Sequence, residues 1–124
     1  MAVRKYQELI AWQKAMELVT EIYRASQRFP KEELYGLTNQ LRRAAVSIPS
    51  NLAEGHGRNS RKEFHHFAGN ARGSLLEVET QLEIALNLGY LSKEIANQLQ
   101  LKTSELGKII NGLREWASGA GAGS

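Results

Sequence analysis

The chain has 124 residues, no cysteine, three histidines and a formal net charge of +3. That length fits one domain, and the missing thiols exclude a disulfide framework, thiolate zinc sites and cysteine nucleophiles. No apolar run approaches the roughly 20 residues of a membrane span, and residues 1–13 lack the apolar stretch of a signal peptide, so a soluble cytoplasmic protein is expected.

All 13 acids are glutamate, which suits helices, whereas aspartate prefers turns and caps. Apolar residues recur at spacings of three and four, the pattern of amphipathic helices. The first helix is predicted from Gln7 to Arg28, with Leu9, Trp12, Met16, Val19 and Tyr23 inward and Pro30 ending it. The second is predicted to begin within Lys31–Leu34 and to turn Leu37, Leu41, Ala44, Ile48 and Leu52 inward. Pro49 falls inside it, which removes a backbone hydrogen bond and predicts a kink near Ala45 or Val46. The apolar period resumes in phase, so the helix is expected to continue.

Gly55 to Asn59 form the next break. Ser60, with Glu63 three residues on, makes a capping box that opens a third helix, Arg61 to Leu88. Phe64, Phe67, Ala71, Leu75, Val78, Leu82 and Ala85 line its inner face, and Gly89 supplies the stop. Ser92 caps a fourth helix carrying Ile95, Leu99, Leu106, Ile109, Ile110, Leu113 and Trp116. Residues 1–117 therefore read as an all-α domain, an antiparallel up-and-down four-helix bundle with its second helix kinked at Pro49. Residues 118–124 alternate Gly and Ala without charge and read as a disordered tail or an expression scar.

Small residues crowd the packing positions of the middle helices: Ala44, Ala45, Ser47 and Ala53 on one, Ala68, Gly69, Ala71, Gly73 and Ser74 on the other. A glycine inside a helix costs roughly 1 kcal/mol against alanine. Close approach of the two helices, or of a neighbouring subunit, would offset it.

The segment Tyr35 to Asn70 and the residues after it carry a resemblance. Its pieces are Gly36-Leu37, Gln40-Leu41-Arg42-Arg43-Ala44, Ser47-Ile48-Pro49-Ser50-Asn51, Ala53-Glu54-Gly55, Phe64, Gly73-Ser74-Leu75 with Glu77 and Glu79, and Leu88-Gly89-Tyr90. Trp12-Gln13 and Phe29-Pro30 extend it. In order and spacing these resemble the bacterial four helix bundle family, also called 23S ribosomal RNA intervening-sequence proteins, over roughly residues 6–116. The resemblance implies a four-helix bundle that assembles into a homopentameric ring, and it implies no agreed activity. In fold the chain is also similar to the accessory protein of diversity-generating retroelements, a basic pentamer that partners a reverse transcriptase and nucleic acid.

Chemistry-bearing constellations are few. Glu63 and His66 have the Glu-x-x-His spacing of di-iron bundles, but no second such pair exists. His65 and His66 diverge by about 100° on a helix and cannot chelate one ion from one face. With no aspartate there is no Ser-His-Asp triad, and no Gly-x-Ser-x-Gly elbow occurs. Gly55-His56-Gly57 has neither the spacing nor the Lys-Ser/Thr of a phosphate loop. Ser47 and Ser50 flank Pro49 and are read as satisfying backbone carbonyls freed there. No catalytic residue, metal site or cofactor is expected, and the chain is read as a non-enzyme.

The charge distribution is the informative signal. Residues 39–75 carry a net +4, and residues 76–124 a net −2. Arg42, Arg43, Arg58, Arg61, Lys62 and Arg72 form the candidate phosphate-binding set, because guanidinium and ammonium groups near a helix N-terminus suit phosphate oxygens. No aromatic platform that stacks unpaired bases is evident beside them. Candidate subunit contacts are Asn51 and Glu54, which share a face just past Pro49, Gly69 and Gly73, and the acidic pair Glu79 and Glu83. Asn51 and Glu54 could equally serve an internal hydrogen-bond network. The leading expectation is a homo-oligomeric accessory or scaffold protein that contacts RNA or DNA; the alternative is a protein–protein adaptor with no nucleic-acid role.

Overall fold

A computed structural model describes residues 5–119. After a single 3-10 turn at Tyr6–Glu8, the chain forms α1 (Ile10–Ser26), a second 3-10 turn at Lys31–Glu33, α2 (Leu37–His56), α3 (Arg61–Asn87) and α4 (Lys93–Ser118). The described residues make a four-helix bundle with no strand. Each helix packs on two others, in the order α1–α2–α3–α4 and back to α1. Between α3 and α4 the facing pairs are Phe64 with Trp116, Gly69 with Arg114, Arg72 with Asn111 and Leu75 with Gly107. One number rises as the other falls.

The helix ends follow local chemistry. The Ser60 hydroxyl accepts the Glu63 amide at 3.1 Å and that of Ser92 accepts the Ile95 amide at 3.2 Å, each meeting a donor the helix itself cannot pair. At the end of α3, Gly89 adopts φ +78°. Its amide donates to the Leu86 carbonyl and the Tyr90 amide to that of Ala85, the double bond of a Schellman stop. The second helix starts later than its apolar pattern suggests. Gly36 holds a non-helical backbone, and a Glu33 carboxylate oxygen accepts the Leu37 amide at 3.1 Å as the cap of α2. A Cβ at Gly36 would stand 2.8 Å from that oxygen, so glycine leaves room for the cap.

One core runs through all four helices, built on Leu18, Ile22, Leu41, Ile48, Leu52, Leu75, Val78, Leu82, Leu106 and Ile110. The face of α1 differs from expectation. Ala11, Ala15, Leu18, Ile22 and Ser26 are buried, Trp12 and Val19 are half-buried, and Met16 and Tyr23 are each 40% exposed. Side-chain size suggested the larger residues; the space between α1 and its neighbours selects alanines. In α4, Thr103 is fully buried with its hydroxyl donated to the Gln100 carbonyl at 2.9 Å. Leu86, outside the predicted inner face of α3, also packs against the core. Ser118, expected in the tail, belongs to α4 and Gly119 is its left-handed cap at φ +81°; residues 120–124 lie outside the described residues.

Small residues bring α2 and α3 together. A Cβ on Gly55 would meet the Phe67 Cβ at 2.7 Å and the Phe64 Cα at 3.6 Å. Further along, the Ser74 hydroxyl donates to that of Ser47 at 2.9 Å. Helical backbone continues through Pro49, which is buried. The Ser47 hydroxyl accepts from Ser74 and from the Asn51 side-chain amide, each at 2.9 Å, and the Ser47 carbonyl accepts from Asn51 at 2.8 Å. Asn51 thus joins an internal hydrogen-bond network. Gly73 is different, with no atom within 4 Å of the position its Cβ would take.

Candidate nucleic-acid interface

The turn between α2 and α3 lies at the end of the bundle that also carries the C-terminal turn of α4. There a small second cluster forms from Leu9, Phe64, Ala68 and Ala117, with Trp12, Leu113 and Trp116 packed against it. Phe64 and Trp116 meet edge to face at 6.0 Å between ring centroids. The turn itself supplies Arg58, Asn59 and Ser60, and the first turn of α3 supplies Arg61 and Lys62.

Three of the six candidate cations gather at this end. The Arg58 guanidinium lies 4.9 Å above the Phe67 ring and pairs with Glu54 at 3.2 Å. That of Arg61 lies 4.3 Å above the Trp116 indole. Both are exposed, as is Lys62. Two open clefts flank the turn. One, about 240 Å³, is lined by Gly55, His56, Asn59, Arg61, Phe64 and Trp116 among others. The other, about 650 Å³, lies between Arg58, Lys62, Glu63, His66 and Phe67. The helix dipole adds a partial positive charge at the start of α3, and Glu63 and Glu54 are the acids beside it.

The other three cations sit elsewhere. Arg42 turns to α1: its Nε donates to the Ser26 hydroxyl at 2.8 Å, an Nη donates to the Tyr23 carbonyl at 3.3 Å, and its guanidinium covers the Tyr23 ring at 4.7 Å. Arg72 donates from Nε to the Asn111 side-chain oxygen at 3.0 Å and so links α3 to α4. Arg43 is exposed in a cleft between α2 and α3 with Gln40, Ser47, Ser74, Glu77 and Gln81. About 15 residues of helix, at 1.5 Å each, separate it from Arg58. The six do not form one patch.

Of the candidate subunit contacts, Asn51 is engaged within the chain and Glu54 with Arg58. Gly69 lies under Arg114, with 3.7 Å from its Cβ position to the Arg114 Nε. Glu83 accepts a hydrogen bond from Gln100, and Glu79 is half-buried. Gly73 faces open space beside exposed Leu76 and Ile84. Among the described residues no group of three or more acids and histidines could hold a metal, and no helix is long and apolar enough to cross a membrane.

Phe67 and Trp116 are the site residues that local sequence reading misses. The bundle order carries the signal for Trp116: in an up-and-down chain the end of the fourth helix meets the start of the third.

Fold and site together define a small basic four-helix-bundle protein with three exposed cations gathered at one end, two of them over aromatic rings. The chain belongs to the 23S rRNA-intervening sequence protein family, whose sequence model matches residues 7–112. Its fold is similar to a crystal structure from Bacteroides thetaiotaomicron, a protein of unknown function from the S23 ribosomal protein family. The TM-score is 0.77 at 20% identity, covering 86% of this chain and 99% of that one. No curated protein matches its sequence.

Proposed function

We propose that this protein is a non-enzymatic, cytoplasmic, homo-oligomeric scaffold that contacts nucleic-acid phosphates through Arg58, Arg61 and Lys62. The observation that carries the reading is the gathering of these three exposed cations at the start of α3, where the helix dipole adds to their field. The family's name, an intervening sequence in 23S rRNA, supports the same direction. Assembly is supported by the outer face of α3, where Leu76 and Ile84 are exposed apolar side chains and the Cβ position of Gly73 is open. A ring of five, which the family resemblance implies, would repeat the cationic end five times and make phosphate contact multivalent. Such contact is salt-sensitive and largely blind to sequence.

The test is fluorescence anisotropy of labelled structured RNA and duplex DNA, titrated across salt. Wild-type protein should bind, with affinity falling steeply as salt rises. Replacing Arg58, Arg61 and Lys62 together by glutamine should abolish most of that binding and leave the oligomer intact. No binding at low salt, at concentrations well above micromolar, sinks the reading and leaves the adaptor alternative.

A further inference from the structure

Each cleft beside the α2–α3 turn contains the same arrangement. An aromatic ring forms one wall, and a guanidinium lies on it: Arg61 on Trp116 in one, Arg58 on Phe67 in the other. With its central carbon 4.9 Å (Arg58) or 4.3 Å (Arg61) from the ring centroid, each guanidinium has the ring on one side. Both side chains nonetheless remain exposed; that of Arg58 is 45% exposed although it is also ion-paired. Pure phosphate binding does not call for this. A lysine or a mobile arginine neutralises a phosphate as well, and rings beneath the charge add nothing to a contact with anionic oxygen. Planar stacking surfaces are what unpaired bases use, both on aromatic rings and on arginine planes.

We infer that the two guanidinium–aromatic stacks are platforms for unpaired bases, so that the protein prefers single-stranded nucleic acid. This rests on the nucleic-acid reading above and specifies its ligand. The base stacks on the outer face of Arg61 or Arg58, while Lys62 and the first turn of α3 take adjoining phosphates. Asn59 and Ser60, which line the smaller cleft, supply polar groups that any base edge can meet. Duplexes keep their bases stacked internally and would gain only the phosphate contacts.

The experiment compares two labelled probes of equal charge on the full chain: a single-stranded 12-nucleotide RNA and an abasic ribose-phosphate oligomer of the same length. The variant is the double substitution Arg58→Lys with Arg61→Lys, which keeps both charges on exposed side chains and removes the planar groups. Wild-type protein should bind the base-bearing probe roughly tenfold or more tightly than the abasic one, the scale of one or two base stacks. The variant should lose that preference and bind the two probes equally, whatever its absolute affinity for either. Equal wild-type affinity for the two probes overturns the stacking inference and leaves phosphate binding standing. So does a preference that survives in the lysine variant. Failure to bind either probe overturns both.

Discussion

Arg42 and Arg58 are chemically the same residue and do opposite jobs. Arg42 reaches the C-terminal turn of α1, where its guanidinium meets the Ser26 hydroxyl and the Tyr23 carbonyl. Hydrogen bonds from a charged donor contribute about 1.5–3 kcal/mol, so Arg42→Ala should lower the melting temperature clearly in a thermal scan. RNA affinity should stay at the wild-type value, because this guanidinium is turned onto α1, away from the α2–α3 turn. Glycines divide in the same way. At Gly55 an added methyl strikes the Phe67 Cβ. Overpacking costs typically about 1–3 kcal/mol, more than the roughly 1 kcal/mol of helix propensity that alanine returns, so Gly55→Ala should destabilise. Gly112 has nothing within 4 Å, and Gly112→Ala should stabilise by about 0.5–1 kcal/mol. Denaturant melts of the two variants check the contrast.

At the scale of elements, α1 and α4 are tied by Lys14 with Glu105 at 2.8 Å and Glu21 with Lys102 at 3.0 Å. The hydrogen bond and charge of Lys14 hold the Glu105 carboxyl below the usual carboxylate range, and Glu105 raises Lys14 in return. A lowered acid contributes stability above its ordinary range and loses it as pH falls through the lowered value. A raised lysine contributes below its ordinary range and loses it as pH rises through the higher value. The stability difference between wild type and Glu105→Gln should therefore be widest between about pH 5 and 10 and vanish at the extremes. Both groups are exposed, so the difference should be small and should shrink with added salt. Melting temperatures across pH and salt test this. The elements themselves were largely legible: Ser60, Gly89 and Ser92 are local signals that act over three or four residues. The inward face of α1 was not, because Ala11 and Ala15 face inward only where neighbouring helices come close, which spacing alone does not encode. Nor was the split of the six cations. Arg42, Arg43, Arg58, Arg61, Lys62 and Arg72 share a charged stretch of sequence, yet helix geometry and partners from α1 and α4 send three of them away.

For the whole molecule, two surfaces remain to be accounted for: the basic-aromatic end and the outer face of α3. Gly73 sits on that face with nothing within 4 Å of its Cβ position, beside exposed Leu76 and Ile84. If assembly uses it, Gly73→Glu should lower the native mass in light scattering and leave helicity by circular dichroism unchanged. A variant of wild-type mass would place the subunit contact on another face. The end and the face are separate surfaces, so a ring built on α3 leaves the α2–α3 turn open to its ligand.

Hydrogen–deuterium exchange with and without single-stranded RNA tests the central claim most directly, because it asks where the nucleic acid lies. Protection confined to residues 55–67 and the last turn of α4 is the expected result. Protection centred on Arg43 and the α2–α3 cleft, or no change at saturating RNA, would contradict it.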